Sequence, residues 1–516
     1  MRAILSVSDR RDVVSFAQGL AALGFELFAT DGTASVLSDA GVAVRNVSAL
    51  TNHPEMLGGR VKTLHPAIYA GLLADRSQPD HLAQLTQFGY TPIDLIAVNL
   101  YPFQSTIEAP SVTLADAIEN VDIGGVTLLR AAAKNFAQVV TVVDPDDYAS
   151  VLERLQAQTD DVVWRRQLAA KAFRHTAVYD TQVSGYLGGP ADEFPEQFTV
   201  ALQKIQDLRY GENPHQRSAL YAQTPNPRMN ATLVGAKQLH GKELSFNNLL
   251  DVDAAMNCVR DFAAITVAVV KHGNPCGLAC AEELPDAFRK ALAGDPLSAF
   301  GGAVGLNRVV DDFTARLIAE QHFDDMIAPG YTDEALEILR RKKNVRIMQV
   351  DFSPLGNAEE ISPALTLDFR RIGGGFLVQT ANSLAEDELS LRCVTEREPT
   401  LEELTNLVFA WRAVKHVKSN AIVLAQRLSL VGVGAGQMSR VDAVDIATRK
   451  AGDRAIGSVL ASDAFFSHPD GPELAAKAGV TAIIQPGGAL RDEEIIRVAN
   501  RHHLAMLLTG QRHFRH

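Results

Sequence analysis

Gly58-Gly59-Arg60-Val61-Lys62-Thr63 sets a guanidinium, an ammonium and a hydroxyl beside two glycines, whose missing side chains let the backbone come close to a ligand. The guanidinium offers paired hydrogen bonds and the ammonium a point charge, so phosphate binding is the chemistry this cluster suits. Taken alone, the same residues also read as an exposed basic turn. Asp31-Gly32-Thr33, after an apolar run and before a helical stretch, is expected to be a strand-ending turn and is a second anion-site candidate, through the free N–H groups of a helix start. Asp122-Ile123-Gly124-Gly125, followed by Arg130 and Lys134, combines a carboxylate, a turn and helix-borne cations, or else forms a capped, solvated helix. Lys271-His272-Gly273-Asn274-Pro275-Cys276-Gly277 puts a cation and a proton acceptor after an apolar run, at a strand's carboxyl end where α/β proteins often keep catalytic groups. Its plain alternative is a polar strand end. Pro275-Cys276 followed by Cys280 approaches the zinc-deaminase signature but has three residues between the cysteines, and His272 precedes Gly273-Asn274 rather than x-Glu. No metal is expected there, and the cysteines read as packing residues.

The elements that would carry these groups follow from the apolar periodicity. Ala3–Val7, Glu26–Thr30, Ile93–Leu100 and Val139–Val143 are short apolar runs separated by helical spacing such as Val13, Phe16, Ala17 and Leu20, the pattern of a parallel sheet buried on both faces. The spacing predicts a helix over 165–179, and the Gly, Pro and acidic residues that follow place a domain boundary near residue 195. Beyond it, strands are expected at Ile265–Val270, Ile422–Ala425 and Ala482–Ile484, with an irregular stretch at 350–375 dividing the second half into two lobes. No strong internal repeat stands out.

At 516 residues the chain exceeds one hydrophobic core, so two or three domains are expected. A formal net charge of −12 argues against broad nucleic-acid binding, so anionic ligands need local basic clusters. With no apolar run of membrane-span length, no signal-peptide pattern and only four cysteines, the expectation is a cytoplasmic protein without membrane association.

SVSDR, GGRVKTLHP, DLIAVNLYPF, VDIGGVTLLRAAAKN and RQLAAKAFRHTAVYD together resemble the inosine monophosphate (IMP) cyclohydrolase domain of the bifunctional purine-synthesis enzymes. LRYGENPHQ, LSFNNLLDVDAA, VKHGNPCG, DPLSAFGG, KSNAIVLA, GVGAGQMSR, SDAFF, IIQPGG and RHFRH resemble the aminoimidazole carboxamide ribonucleotide (AICAR) transformylase domain of the same enzymes, in the same order. The resemblance spans nearly the whole chain. It implies an α/β protein: a methylglyoxal-synthase-like domain over 1–195, then a transformylase domain over 196–516 made of two cytidine-deaminase-like lobes. The implied activity is formyl transfer from 10-formyltetrahydrofolate to AICAR, followed by dehydrative closure to IMP. Retention of only one activity, or a nucleotide-sensing role without catalysis, are the alternatives.

By position, the resemblance puts Ser8, Arg10, Gly32, Thr33, Arg60 and Thr63 on the nucleotide of the first domain, with Lys62, Tyr101, Asp122 and Lys134 in catalysis. Lys62 would stabilise an oxyanion, Tyr101 orient the carboxamide, and Asp122 with Lys134 move protons. In the second domain it puts Arg209, Tyr210, Asn248 and Arg512 on substrate, Lys271, His272 and Asn420 at the reacting groups, and Phe465, Asp470 and Phe514 at the folate. Arg10, Asp31, Ala67, Tyr69 and Ser467-His468-Pro469 depart from the common family pattern. The resemblance further implies small-molecule substrates, a homodimer and no zinc, and leaves a monovalent cation open.

Overall fold

The computed structural model describes residues 1–109, 111–189, 194–224, 229–352, 367–382 and 390–516. The chain forms two compact units, one over residues 1–203 and one over the greater part of 204–516. The expected boundary near residue 195 adjoins residues 190–193, which lie outside the described ones, and the expected lobe division at 350–375 falls partly on 353–366, also outside them.

The first unit is built on five parallel strands, in the order Arg45–Asn46, Glu26–Ala29, Arg2–Val7, Leu95–Asn99, Val140–Val142. Both faces are covered, which is why the strands are almost wholly apolar: Ile4, Phe28, Ile96 and Val98 pack into one core, Ala3, Leu5, Leu27 and Ala97 into the other. Strand order reverses between Arg2–Val7 and Leu95–Asn99, so the segments leaving their carboxyl ends diverge and open a crevice. Asn99 stitches the two ends together: its Oδ1 accepts the N–H groups of Ser8 (2.6 Å) and Asp9 (2.8 Å), and its Nδ2 donates to the Asp9 carbonyl. Asp31-Gly32-Thr33, expected as a turn, is instead the first turn of the helix Asp31–Asp39. Extended Thr30 carries the chain straight into it, and buried Thr33 pins it by accepting the Val7 N–H through Oγ1 at 3.0 Å. The expected helix over 165–179 runs further in both directions, as Val162–Gly188.

In the second unit a twelve-stranded mixed sheet consists of two six-stranded halves with the same connectivity. Each half has an antiparallel hairpin, Ile265–Lys271 with Asn274–Ala281 in one and Ile422–Gln426 with Ser429–Gly434 in the other. The first hairpin strand pairs antiparallel with Gly302–Leu306 or Val459–Ser462, which then leads a parallel series: Phe323–Ala328 and Arg346–Gln349, or Ala482–Gln485 and Ala505–Leu508. An earlier strand, Lys237–His240 or Arg392–Cys393, closes each edge antiparallel. The halves join where Ala279 faces Ser429 and the Cys280 N–H reaches the Leu428 carbonyl at 2.9 Å. The repeat that the sequence does not display is therefore one of topology, because connectivity depends on the alternation of elements and not on which apolar residue fills each site. One packing device recurs too. A Cβ added to Gly277 would lie 1.9 Å from the Ala291 carbonyl, and one on Gly434 1.9 Å from the Ala443 carbonyl, so in both halves glycine lets a helix lie directly on the second hairpin strand.

Cys276 and Cys280, four apart on one strand, would share a face if alternation were regular. The register shift between Pro275 and Gly277 breaks it: Cys280 belongs to one core and Cys276 packs against the core on the other face. No described helix is long and apolar enough to cross a membrane.

Candidate active sites

At the crevice of the parallel sheet lies a cleft of about 680 Å³, and Ser8, Arg10, Gly32, Thr33, Arg60, Lys62, Thr63, Tyr101 and Asp122 all line it. These residues come from five separate stretches of chain, brought together by the strand reversal. Two of its three lining cations hold carboxylate partners. Lys62 Nζ lies 3.2 Å from Glu55 and 3.9 Å from Asp31, and Arg60 forms an exposed ion pair with Glu119. Asp31, at a helix start suited to anions, is held below the ordinary carboxylate range by hydrogen bonds with Glu55 and Asn46, and Lys62 adds to the effect. Arg10 comes within 3.1 Å of where a Cβ on Gly32 would stand, so its guanidinium lies over the helix start with nothing between.

Asp122 is the one carboxylate of this cleft whose surroundings push its pKa up. Burial raises it against the opposing N–H bonds of Gly125 and Tyr101. Its Oδ1 accepts from Gly125 at 2.7 Å, and its own N–H donates to the buried Tyr179 hydroxyl at 2.7 Å. A side chain at 125 would meet Asp122 Oδ2 at 2.5 Å, so glycine is what lets the carboxylate rest on the helix start. Tyr69 donates to Thr127 Oγ1 at 2.7 Å, and burial raises its phenol.

Lys134 is the exception among the first-domain expectations. It ends the helix Gly124–Lys134, whose beginning carries Asp122. Eleven helical residues put the two ends roughly 16 Å apart, and Lys134 lines a separate surface cavity with Arg130 and Arg166. It is therefore not a proton partner of Asp122 within this chain; adjacency in one motif hid the length of the helix between them.

In the second unit, Arg209, Tyr210, Asn248, Lys271 and His272 line one pocket of about 370 Å³. Lys271 ends its strand, and His272-Gly273 is the two-residue tip of a hairpin, with φ of 95° and 73°. The pair thus stands at a strand's carboxyl end, as expected, and that end is the tip of an antiparallel hairpin. The Lys271 ammonium donates to the carbonyls of Phe300 (3.0 Å) and Gly301 (2.7 Å) and has no carboxylate partner among the described residues. Asn248 caps its own helix with Ser245 and donates to Asp325 at 2.8 Å. Arg209 lies over the Tyr210 ring, 5.5 Å from its centroid.

Asn420, Arg512, Phe465, Asp470 and Phe514 belong to the second lobe and do not line that pocket. Asn420 is held firmly: its Oδ1 accepts from Arg440 at 2.8 Å, while its Nδ2 donates to the carbonyls of Gln437 and Met438. Arg440 also pairs with the buried Asp463. Arg512 stacks on Phe514 at 4.6 Å, and Phe465, Asp470 and Phe514 are exposed. A link between the lobes beside the pocket is Asn274, whose Nδ2 donates to the His272 carbonyl at 3.2 Å and whose Oδ1 accepts the Lys418 N–H at 2.9 Å.

Asp251, Asp325 and Arg346 also line the Lys271-His272 pocket and were not among the expected residues. Asp325 is buried, its carboxyl pushed up to about 6 by desolvation, with Arg346 3.6 Å away pulling the other way. The signal for it was present: an Asp-Asp doublet inside the apolar run Phe323–Ala328 is expensive unless the carboxylates have a task. Nothing in the local sequence distinguishes Asp251 from Asp253, the other acid of its helix.

Residues 132–450 match the AICARFT/IMPCHase bienzyme family, and residues 12–127 match the MGS-like domain family. The chain is 52% identical to the "Bifunctional purine biosynthesis protein PurH" of Anoxybacillus flavithermus over 517 residues, covering 100% of this chain and 99% of the relative. Proteins of the same name from Oceanobacillus iheyensis and Halalkalibacterium halodurans are 48% and 50% identical, each over 100% of this chain and 99% of the relative.

Proposed function

The chain belongs to the AICARFT/IMPCHase bienzyme family, and from that premise we propose how its residues divide the last two steps of IMP synthesis. It is a formyltransferase and a cyclohydrolase: it formylates AICAR from a folate-derived donor and closes the formylated product to IMP. The assignment of steps to sites is our reading, and one observation carries it. All but one of the residues expected in cyclisation line the cleft of the first unit, and the Lys-His pair lines a different pocket in the second.

In the first unit, residues 1–195 carry cyclisation. The nucleotide phosphate lies against the start of the helix Asp31–Asp39, where the N–H groups of Gly32 and Thr33 and the guanidinium of Arg10 face it, with Ser8 and Thr63 alongside. Arg60 exchanges Glu119 for ligand oxygens. The carboxamide nitrogen attacks the formyl carbon, and the oxygen that gains charge is met by Lys62. Asp122, kept basic by burial, accepts the attacking nitrogen's proton and passes it to the oxyanion, giving a hydroxyl; it then takes the proton of the former formamide nitrogen and passes it to that hydroxyl, which departs as water as the C=N bond forms and the ring becomes aromatic. Tyr101 orients the carboxamide. Because attack is intramolecular, holding the two groups together supplies much of the rate.

Residues 196–516 carry formyl transfer. Arg209, Tyr210 and Asn248 seat AICAR, with Arg512 on its phosphate, and the donor, taken to be 10-formyltetrahydrofolate, lies toward Phe465, Asp470 and Phe514. The AICAR amine is a weak nucleophile because its lone pair is delocalised, so His272 removes its proton during attack on the formyl carbon. Lys271, whose ammonium keeps a third N–H beyond those given to Phe300 and Gly301, stabilises the carbonyl oxygen until the folate nitrogen departs with the proton that His272 took up, and Asn420 stands beside the reacting groups. The protein works in the cytoplasm as a homodimer on small molecules alone, without zinc and without nucleic acid. The test is direct: purified chain mixed with AICAR and 10-formyltetrahydrofolate is expected to yield IMP with no other enzyme. Accumulation of formylated nucleotide without IMP would remove the first half of the reading, and no formylation would remove the second.

A further inference from the structure

We propose that Asp251 is a positioning residue for formyl transfer: its carboxylate holds the backbone of the His272 turn, and Asn274 fixes the same turn to the second lobe. The proposal rests on the reading of His272 as the base. Two residues alone connect Ile265–Lys271 to Asn274–Ala281, and both take positive φ, as the type I′ form of such a loop requires. Gly273 meets that demand freely. His272 carries a side chain into the left-handed region, at 95°, and a residue stays in such a conformation when its surroundings over-determine it.

Asp251 supplies that restraint. Its Oδ1 accepts the N–H of His272 at 3.0 Å and the N–H of Gly273 at 2.6 Å, gripping both residues of the turn with one oxygen. Successive N–H groups converging on one anion form the concavity known as a nest. The carboxylate is itself rigidly presented, because the helix Phe246–Arg260 is locked at its start by a Ser245–Asn248 capping box. Asn248, one turn earlier on the same helix face, bonds Asp325 across the pocket. From the other side, Asn274 donates to the His272 carbonyl and accepts from Lys418, two residues before Asn420. The turn is thus gripped at its N–H groups by one lobe's helix and at its carbonyl by a side chain that also touches the other lobe. Neither grip uses the imidazole, which stays exposed and available to substrate.

The test is a double-mutant cycle in the full chain, reading formyl transfer and cyclisation in the same preparation. A misplaced base loses rate rather than affinity, so Asp251→Ala is expected to lower kcat for transfer about 10- to 100-fold with KM for AICAR within about 3-fold. Asp251→Asn, which keeps an acceptor oxygen, should recover most of that loss. In a His272→Ala background Asp251→Ala should add less than about 2-fold, since a residue acting only through His272 has nothing left to position. An unchanged circular-dichroism spectrum and melting transition of the full chain report a folded second unit, which unchanged cyclisation in the first cannot do, and Asp251→Ser, too short to reach both N–H groups, gives the same readings should the alanine variant not fold. Normal kcat in Asp251→Ala, a loss confined to KM, or a full penalty persisting without His272 would each overturn the proposal. Impaired transfer in His272→Ala beside normal transfer in Asp251→Ala defeats the positioning role alone; normal transfer in His272→Ala defeats the base assignment and the positioning role with it.

Discussion

The two clefts of this chain hold their lysines in opposite ways. In the first unit Lys62 faces Glu55 and Asp31, and Arg60 faces Glu119, all on a partly exposed surface where an incoming phosphate or oxyanion can take a carboxylate's place. In the second, Lys271 is held by backbone carbonyls, His272 by a clamped turn, and Asn420 by Arg440. The difference follows the chemistry assigned to each. Ring closure joins two groups already on one molecule, so loosely paired charges that settle around the ligand suffice. Formyl transfer must bring two molecules together, and the groups between them have to be in place beforehand, since a misdirected base costs rate at once.

The strongest attack on this contrast is a pair of single substitutions. Lys62→Ala is expected to lower cyclisation by about 10²-fold or more while formyl transfer stays intact, and His272→Ala to lower transfer by about 10²-fold or more while cyclisation stays intact. Separate assays of the two half-reactions decide it; a substitution that depressed both equally would erase the distinction between the sites.

Acid should separate the units next. His513 is buried against Trp411, and burial pushes its imidazole down to about 4, so the fold favours its neutral form. A base with a depressed pKa contributes stability that is complete above its unfolded value, near 6.5, and is lost as pH falls toward 4, here by up to about 3 kcal/mol. Chemical denaturation followed by transfer activity should therefore show a loss of stability between pH 6.5 and 4.5 that is blunted in His513→Gln. An equal loss in that variant would place the acid sensitivity elsewhere.

The first cleft should show its own pH signature. With Asp122 raised by burial and acting as base, cyclisation falls as pH drops through a pKa above the usual carboxylate range. Asp122→Asn should lower the rate roughly 10- to 100-fold and flatten that acid limb. A limb that survives in the variant assigns it to another group. The smallest effect expected is at the rim: Glu119→Gln frees Arg60 from its exposed partner, and KM for the formylated nucleotide should drop about 2- to 3-fold with kcat unchanged. A higher KM would mean that Glu119 holds Arg60 in its binding position.

Much of the first unit was readable without coordinates, because a parallel sheet buried on both faces writes its strands as apolar runs, and the runs at 3–7, 26–30, 93–100 and 139–143 all contain strands. The expected strands at 265, 422 and 482 are present too. What escaped was whatever depended on distance through space. Lys134 shares a motif with Asp122 yet stands a helix length away, and the zinc-like cysteines face opposite cores because of one register shift. The repeated topology of the second unit left no recognisable period, since the two halves share connectivity and not residues.

The sequence by itself determined which chemical groups are present, which motifs they sit in and how the strands of the first sheet alternate, since these depend on residue type and near-neighbour spacing. Tertiary structure alone decided which groups meet. Asp251 lies 21 residues from His272 and Lys418 lies 144 from Asn274, and their hydrogen bonds exist because a helix is docked on a hairpin and one half-sheet on another. A contact between residues far apart in the chain is set by the packing of the elements that carry them, and no local pattern of residue types specifies it.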